Sequence, residues 1–552
     1  MKKPKMNVAT HFDDVNKIWS GPSSDVVVNK HENFGEFLLE KLKSDPELVA
    51  QINGDTGETM TKSEIRIRSI RCAQNLAKLG CTQNDCIGVV ARNHHNLTPL
   101  LYGAIFNGSP ICPFDVLIVK DGIDVLLDRL RPSFIFGDAD VLDSVKEIVN
   151  NMGFSSKFFT VNGSADAYES IDSLMNETGE EDSFVCSKID DAFSHAVVIS
   201  CSSGSTGLPK SICLSHAVFT FTQKVQKFGS KLITLNFSSM YWLSGILAML
   251  SSATTVTRIF TTKPFSPDLF FDFVEKYKFQ FFSGPPCQMQ AILTSERCVN
   301  ADLSSIGLCF LIGSTLPPTL LQTLKKVIPK CILMTAYGMT EVCGGVTCTV
   351  PNELEEYPQS SGRLMIGAKI KIINQNPGEK CGIGEEGEIC IKIPIPPMGY
   401  YKDEAATRNA YDNEGYFISG DLGYFDETGR LYIIGRKKEI FKCRGFAIWP
   451  GELENIILKH SAIRDVSVVS VYDDKIVSEL PAAVVIKKDD SSVTVDDVYA
   501  IVADQMVSYK RLDGGVYFVD EFPLTPSGKI IRSKVKELAQ KFYQLKKQTT
   551  NK

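Results

Sequence analysis

At 552 residues the chain exceeds the size of a single hydrophobic core, so we expect it to divide into two or more domains. Hydrophobic residues make up 43% of the chain and charged residues 22%, which is typical of a soluble globular protein. The formal net charge of −6 gives no electrostatic reason to expect a nucleic acid or a membrane surface as a partner. No apolar stretch approaches the ~18 residues of a membrane helix, so no integral membrane segment is predicted.

The sixteen cysteines are scattered along the chain and lack the spacing of zinc ligands. We therefore predict free, mostly buried thiols in a reducing compartment, which indicates an intracellular protein. The basic N-terminus is not followed by the apolar run of a signal peptide. The chain ends in Gln548-Thr549-Thr550-Asn551-Lys552 and has no Ser-Lys-Leu peroxisomal signal.

The order of apolar runs predicts the fold class. Between about residues 33 and 390, amphipathic helical patterns alternate with short apolar runs such as Ile87–Ala91 and Leu308–Ile312. That alternation predicts a mainly parallel, helix-covered α/β core. Past residue 380 the pattern changes, and Gly387–Lys392 and Leu431–Ile434 predict antiparallel strands joined by glycine-rich turns.

The charged segment Gly435–Glu439 is typical of a domain boundary. Beyond it, Pro450–Lys459 predicts a helix with proline in its first turn. Val466–Val471 and Ala482–Ile486 predict strands, and Ile530–Lys546 predicts a final basic helix. About 115 residues in this pattern suit a small α+β domain.

A loop rich in glycine and hydroxyl groups follows the predicted buried strand Ala196–Ile199. Glycines allow backbone N–H groups to turn toward an anion, hydroxyls donate further hydrogen bonds, and a terminal lysine adds positive charge. The loop lacks the spacing of the common nucleotide P-loop, and an ordinary surface loop remains the alternative. The candidate phosphate-binding residues are Ser202, Ser203, Gly204, Ser205, Thr206, Gly207 and Lys210.

A second motif, Tyr337-Gly338-Met339-Thr340-Glu341, places a hydroxyl beside a carboxylate. Such a pair suits a phosphoryl group bridged to Mg²⁺, because the hydroxyl donates to phosphate and the carboxylate oxygen binds a hard cation. Tyr337 offers a flat face on which a purine could stack. A glycine turn with a solvated glutamate is the alternative.

Three more positions carry candidate charges. Asp421, within Gly415–Gly423, is predicted to lie on a tight turn, where a carboxylate can accept two hydrogen bonds from a ribose diol or can satisfy its own backbone. Arg436 is a fixed cation near the predicted joint. Lys529 lies in the proline- and glycine-rich segment Pro523–Ile530, from which a rotating domain could bring it into a site or withdraw it.

These five segments, in this order, resemble the adenylate-forming superfamily of acyl-CoA synthetases, insect luciferases and 4-coumarate–CoA ligases. The resemblance extends from Ile18-Trp19-Ser20-Gly21-Pro22 to the Lys529 segment. It implies a large N-terminal adenylation domain (1–435) of helix-covered sheets with a small β-barrel-like part. A hinge (436–438) and a small, mobile α+β C-terminal domain (439–552) would follow.

The resemblance also implies roles for individual residues in binding ATP and Mg²⁺. The loop from Ser202 to Lys210 would hold the β- and γ-phosphates, Thr340 would contact the α-phosphate, and Glu341 would bind the metal. Asp421 and Arg436 would bind the ribose. The residues implied to line the adenine pocket are Gly313, Ser314, Thr315, Ala336 and Tyr337.

Further roles concern the two half-reactions. Lys529 would bridge the carboxylate and the α-phosphate during adenylation, and Lys438 would be the hinge. Lys442 and Gly445 would enter the site for the second half-reaction, with coenzyme A as the acceptor. The residues implied to line the acyl pocket are Trp242, Gly344 and Gly345.

The sequence leaves the activity open between three hypotheses. The first is an ATP-dependent ligase that joins a fatty or aryl acid to coenzyme A. The second is a luciferase, against which Trp242 counts, because it stands where beetle luciferases have histidine. The third is a non-catalytic binding protein, against which the presence of Lys529, Glu341, Thr340 and Asp421 counts. Relatives are often peroxisomal, so both peroxisome and cytosol remain open.

Overall fold

The computed structural model describes residues 9–116, 119, 123–163, 166–202, 210–225, 231–314, 316–374, 378–443, 446–474, 476, 478–489, 491–506, 508–524 and 529–550. Its secondary structure is mixed α/β, as the sequence predicts. Two large sheets and one smaller antiparallel sheet form a first lobe (described residues up to Arg436), and a three-stranded sheet forms the centre of a second lobe (described residues from Phe441 onward).

An eight-stranded sheet contains the strand that leads into the glycine-rich loop. Six neighbouring strands run parallel, and at one edge Lys210–Ser215 pairs antiparallel both with the nearest of them and with the edge strand Gly399–Tyr400. Ile87–Val90 shows why the sequence identified this core: all four residues are buried, since a parallel strand covered on both faces is apolar throughout. From the antiparallel edge, the strands are Gly399–Tyr400, Lys210–Ser215, Ala196–Ser202, Ile111–Phe114, Ile87–Val90, Phe134–Gly137, Lys157–Thr160 and Glu169–Ser170.

A nine-stranded sheet carries the second sequence motif. Six central strands run parallel, and antiparallel strands flank them at both edges. In spatial order the strands are Arg363–Leu364, Gly344–Cys348, Ile332–Met339, Leu308–Ile312, Phe281–Gly284, Leu232–Leu235, Val256–Phe260, Val49–Asn53 and Thr59–Thr61.

Helices cover the two large sheets of the first lobe, and one core cluster joins these two sheets. Leu97–Asn107 is buried along its entire length. It belongs to an apolar cluster that includes Ile87 of the eight-stranded sheet and Ala50 of the nine-stranded sheet. The helices of this lobe are Phe34–Lys43, Lys62–Lys78, Leu97–Asn107, Ile123–Leu130, Ala139–Asn151, His216–Val225, Leu243–Ser251, Pro267–Tyr277, Pro286–Thr294, Pro318–Val327, Glu353–Glu356 and Glu404–Asn409.

The smaller, six-stranded sheet of the first lobe is antiparallel throughout. It contains the predicted strands Gly387–Lys392 and Leu431–Arg436, the second of which extends two residues beyond its predicted end. It also contains two N-terminal strands that the sequence pattern did not predict. In spatial order the strands are His11–Asp13, Ile18–Ser20, Lys369–Ile373, Gly387–Lys392, Phe417–Phe425 and Leu431–Arg436.

The second lobe has the predicted α+β composition. The helix predicted at Pro450–Lys459 ends earlier, at Ile457, and the final helix runs from Arg532 to Thr550 rather than from 530 to 546. Both predicted strands are longer than expected, because their flanks also pair. The strands of this lobe are Phe441–Cys443, Phe446–Ile448, Ile463–Asp473, Ser478–Lys487 and Gly515–Phe518, and its helices are Pro450–Ile457, Val495–Gln505 and Arg532–Thr550.

The two lobes meet closely at the start of the helix Pro450–Ile457. A Cβ atom at Gly451 would lie 2.1 Å from the carbonyl oxygen of Ile434, so only glycine allows this approach. Arg532 joins the connecting segment to the second lobe, with its guanidinium 3.2 Å from Glu439 and 2.7 Å from Glu454. The domain boundaries at 435–439 remain a prediction.

All sixteen cysteines lie among the described residues; none forms a disulfide, and thirteen are buried, as the composition predicts. Among the described residues, no helix has the length and apolar character needed to cross a membrane.

Candidate active site

Asp421 is the centre of a polar cluster in the first lobe. Its carboxylate accepts a hydrogen bond of 2.7 Å from the hydroxyl of Tyr337 and lies 3.4 Å from Nε of Arg436. Only 7% of Asp421 is exposed. Burial raises the pKa of Asp421, whereas Arg436, Tyr337 and Lys529 each act to lower it. The cluster therefore brings together three residues that the sequence predicted separately for nucleotide binding.

The prediction that Asp421 lies on a tight turn is wrong. The residue lies within the strand Phe417–Phe425, directly opposite Arg436 on the neighbouring strand. Gly420, which precedes it, has φ of +73°, and the pairing register with the strand Gly387–Lys392 shifts between Ile418 and Leu422. The glycine therefore allows an irregularity inside a strand rather than a turn between strands. Strand pairing fixes the Asp421–Arg436 contact.

Lys529 of the second lobe lies near this cluster. Its pKa is below the ordinary value, first because protein atoms displace water around it and then because Arg436 is close. The carboxylates of Asp421 and Glu341 act in the opposite direction, and the residue remains accessible to solvent. Ile530, the residue after Lys529, forms an isolated antiparallel bridge with Leu524. Lys529 is thus close enough to Asp421 and Glu341 of the first lobe for their charges to act on its pKa.

The segment Tyr337–Glu341 passes from a strand into a tight turn. A Cβ atom at Gly338 would lie 1.9 Å from the carbonyl oxygen of Gly344, so this glycine is required for the close pairing of the two strands. The turn Thr340–Val342 follows, and the N–H of Cys343 donates to the carbonyl of Thr340 at 3.0 Å. This turn fixes where Thr340 and Glu341 leave the sheet.

The end of the glycine-rich loop contacts an aromatic residue. Ser202 is the last residue of the strand Ala196–Ser202, and Lys210 is the first residue of the next strand. Nζ of Lys210 lies 4.6 Å from the centroid of the Tyr400 ring. The side chain of Ser202 and residues Ser203, Gly204, Ser205, Thr206 and Gly207 lie outside the described part of the chain.

A cavity of about 120 Å³ lies beside Glu341 and is otherwise lined mainly by apolar groups, including Tyr411 and Phe417. Mg²⁺ prefers carboxylate oxygen and keeps several bound waters, so it needs one or two such ligands and free space rather than a closed cage. Glu341 supplies one such carboxylate, at the edge of the cavity. No cluster of three or more potential metal-ligating side chains occurs within the described ranges, so a metal here would depend on substrate phosphate for further ligands.

The predicted adenine and acyl residues lie around the end of the nine-stranded sheet. Ala336 is opposite Ile312 in the pairing of two parallel strands, and Gly313 and Ser314 follow as exposed residues. Gly345 is exposed, and a Cβ atom there would lie 3.1 Å from Sδ of Met365.

Two further acyl residues lie beside the helix Leu243–Ser251. Trp242 precedes the helix and packs edge-on against Tyr241, with ring centroids 4.8 Å apart. A Cβ atom at Gly344 would lie 3.9 Å from Leu247 of the same helix.

The structure describes four further predicted residues only in part or not at all. Lys438 is exposed in the turn Lys437–Glu439 between the lobes. The backbone of Lys442 belongs to a short strand, but its side chain lies outside the described residues, as do Thr315 and Gly445. Their roles remain predictions.

Sequence reasoning did not identify Tyr400 and Tyr411. The pKa of each hydroxyl is raised, first by burial and then by the negative charge of Glu341, and that of Tyr411 is raised to about 12. These two tyrosines, called the aromatic wall below, are distant in sequence from the motif residues that they lie near. A glycine before Tyr400 is the sole local signal, and it does not indicate which residue the ring contacts.

The fold and this cluster define a two-lobed nucleotide-binding enzyme, and comparisons with known proteins support that class. The profile of the AMP-binding enzyme family matches residues 38–401, and that of the AMP-binding enzyme C-terminal domain matches residues 452–529. The chain belongs to the AMP-binding enzyme family. Its predicted membership of the adenylate-forming superfamily is confirmed.

Individual relatives agree with this assignment. The chain is 28% identical to 4-coumarate–CoA ligase 1 of Arabidopsis thaliana over 524 residues, which cover 92% of this chain and 93% of that protein. It is 26% identical to the luciferase-like enzyme from the nonluminescent Zophobas morio mealworm, with a TM-score of 0.69 over 76% of this chain and 100% of that one. ATP-bound MatB from Rhodopseudomonas palustris shares the fold, with a TM-score of 0.81 and 21% identity over 93% of this chain and 100% of that one.

Proposed function

We propose that the protein is an AMP-forming acid–thiol ligase. In the first step a carboxylate attacks the α-phosphorus of ATP, which forms an acyl-adenylate and releases pyrophosphate. In the second step the thiol of coenzyme A displaces AMP and forms a thioester. Membership of the AMP-binding enzyme family supports this proposal, as do relatives that are CoA ligases by name.

The single observation that carries the proposal is the position of Lys529 near Asp421, Arg436 and Glu341. Bringing a carboxylate to an α-phosphate sets two anions against each other. An ammonium group at that point offsets the repulsion and stabilises the charge that develops during attack. Because Lys529 comes from the second lobe, the proposed adenylation site is complete only with that lobe in its present position.

Each member of the cluster has a proposed part in holding ATP. The ionised carboxylate of Asp421 would accept hydrogen bonds from the two ribose hydroxyls, and Arg436 favours that ionised form. Thr340 would donate to the α-phosphate, while Lys210 and the loop from Ser202 to Gly207 would bind the β- and γ-phosphates. Gly313, Ser314, Thr315, Ala336 and the ring of Tyr337 would enclose the adenine.

Glu341 is the proposed ligand of Mg²⁺. A bound cation there would neutralise phosphate charge. The chain's own contribution is to hold the carboxylate at a fixed turn.

The second half-reaction and the acyl pocket rest on the family resemblance. Rotation about Lys438 would withdraw Lys529 and bring Lys442 and Gly445 to the site, so that one cleft serves two chemistries. Trp242, Gly344 and Gly345 would line the acyl pocket. A fatty or aryl acid is the proposed substrate, and peroxisome and cytosol both remain possible locations.

Purified protein should be incubated with ATP, Mg²⁺ and a panel of fatty and aryl acids, with pyrophosphate release and the thioester product measured separately. We expect release with at least one acid and thioester formation after coenzyme A is added. Lys534→Ala, which removes an exposed lysine of the final helix, serves as the matched control for Lys529→Ala. A folded protein that binds ATP and releases no pyrophosphate with any acid would support the non-catalytic alternative.

The luciferase alternative has less support. The luciferase-like structural neighbour comes from a nonluminescent mealworm, and Trp242 replaces the histidine of beetle luciferases. Photon counting after addition of D-luciferin, ATP and Mg²⁺ tests it directly. Light emission well above that of a heat-denatured sample would favour this alternative over the ligase.

A further inference from the structure

The ring of Tyr400 lies beside the ammonium group of Lys210, the residue at which the glycine-rich loop ends. The 4.6 Å between Nζ and the ring centroid is within the ~6 Å over which the negative face of an aromatic ring attracts a cation. Among the described residues Lys210 forms no ion pair, so the Tyr400 ring is the group there that holds this cation.

Strand pairing places the two residues together. Gly399–Tyr400 pairs antiparallel with Lys210–Ser215, and Ile212 is directly opposite Tyr400. Residues two apart on a strand share a face, so Lys210 is the diagonal neighbour of Tyr400, within reach of a long side chain. The contact follows from the sheet register and does not depend on the loop.

The backbone of Tyr400 is anchored independently of Lys210. Its N–H donates to Oγ1 of Thr407 at 2.8 Å. Gly399, with φ of +104°, packs so closely on Thr407 that a Cβ atom there would lie 2.3 Å from its methyl carbon. The backbone that carries the ring is thus anchored to the helix Glu404–Asn409.

Tyr400 also lies close to the proposed metal ligand. The charge of Glu341 acts on its hydroxyl, and Tyr411 experiences the same charge. Tyr400 therefore has the cation of Lys210 near its ring and the charge of Glu341 near its hydroxyl. Both charges belong to the region where the pyrophosphate part of ATP would bind.

We propose that Tyr400 is a positioning residue that holds the ammonium of Lys210 on the Glu341 side of the cleft before ATP binds. A lysine side chain has many rotamers, and fixing one in advance removes an entropic cost from the binding step. This inference rests on the proposed function, because it assigns Lys210 to the phosphates of ATP. Tyr400 acts through Lys210 and forms no bond with the substrate.

The test compares Tyr400→Phe, which keeps the ring, with Tyr400→Leu, which removes it. Tyr401→Leu is the matched control: Tyr401 packs against a different apolar cluster, which includes Ile199 and Cys213, and contacts Lys402 instead. Pyrophosphate release at saturating acid gives kcat and KM for ATP, and a supplied acyl-adenylate with coenzyme A gives the second half-reaction. Thermal denaturation checks that each variant is folded.

We expect Tyr400→Phe to behave as the unmodified protein and Tyr400→Leu to lose about tenfold in kcat/KM for ATP, as loss of a cation–π contact implies. The second half-reaction should be unchanged. In a Lys210→Gln background, Tyr400→Leu should have no further effect, because the ring has no cation left to hold.

Three results would overturn the inference: full activity of Tyr400→Leu, equal losses in Tyr400→Phe and Tyr400→Leu, or additive losses with Lys210→Gln. If the unmodified protein releases no pyrophosphate with any acid, the proposed function fails instead. The dissociation constant for ATP then still tests Tyr400, since it should rise in Tyr400→Leu and stay constant in Tyr400→Phe; a value unchanged in Tyr400→Leu would refute the inference.

Discussion

Asp421 and Arg436 face each other on two paired strands of one sheet, whereas Lys529 has beside it only the isolated bridge between Leu524 and Ile530. The first pair is fixed by the same hydrogen bonds that hold the sheet together. The lysine depends on how the second lobe sits on the first. Under the proposed function, nucleotide binding belongs to this paired-strand region, called the rigid region below, and the charge needed for chemistry comes from the second lobe, which is proposed to move.

The sharpest test of this comparison is Lys529→Ala. We expect adenylation to fall by about 10²–10³, the usual loss when one charge-stabilising donor is removed, while thioester formation from a supplied adenylate continues. Pyrophosphate release and thioester formation should be assayed separately. Equal losses in adenylation and in thioester formation would mean that Lys529 is not specific to adenylation.

Asp421→Asn addresses the rigid region. We expect KM for ATP to rise about tenfold or more with a smaller change in kcat, because the amide accepts hydrogen bonds from ribose less strongly than a carboxylate does. The preference for ATP over 2′-deoxy-ATP and 3′-deoxy-ATP should shrink in the same variant. If the unmodified protein uses all three nucleotides equally well, Asp421 does not bind the ribose.

Gly345→Val probes the acyl side of the rigid region. The new side chain would point toward the flexible Met365, so the chain should still fold while the pocket narrows. We expect selectivity between long and short acids to shift about tenfold toward the short ones, with KM for ATP unchanged. Competition between a long and a short acid in one reaction measures the shift, and an unchanged ratio would exclude Gly345 from the pocket.

The smallest effect is expected in the second lobe. Burial raises the pKa of Asp465 to about 6, above the ~3.9 of an exposed aspartate. Between these values the folded chain holds a proton that the unfolded chain has lost, so stability falls as pH rises from about 4 to about 6.

Asp465→Asn removes this titration. Its melting temperature should match that of the unmodified protein near pH 4 and exceed it by about 2 °C at pH 7. Asp504→Asn, at an exposed position, should show no such trend. If the melting temperatures of Asp465→Asn and the unmodified protein differ by the same amount at every pH in this range, the raised pKa of Asp465 is wrong.

The sequence predicted those parts of the molecule whose signal is local. Buried parallel strands such as Ile87–Val90 are apolar throughout, and proline marks the first turn of the helix at Pro450. The strands His11–Asp13 and Ile18–Ser20 were missed because three residues carry no readable alternation.

The candidate site likewise contains some residues with a local sequence signal and others without one. Glycines beside polar residues indicated Glu341 and Asp421, but the turn predicted at Asp421 was wrong because Gly420 lies inside a strand. The contacts of Tyr400 follow from which strands pair and in what register. No local pattern encodes that pairing, so the aromatic wall could be found only from the folded chain.

The distribution of thiols has a practical consequence for the bench. Cys287 is exposed, Cys298 and Cys331 are half-buried, and the other thirteen cysteines are buried. Brief exposure to iodoacetamide should therefore alkylate few cysteines of the folded chain and many cysteines of an unfolded one. Intact-mass spectrometry of alkylated samples would then count how far any variant has opened, without an engineered tag.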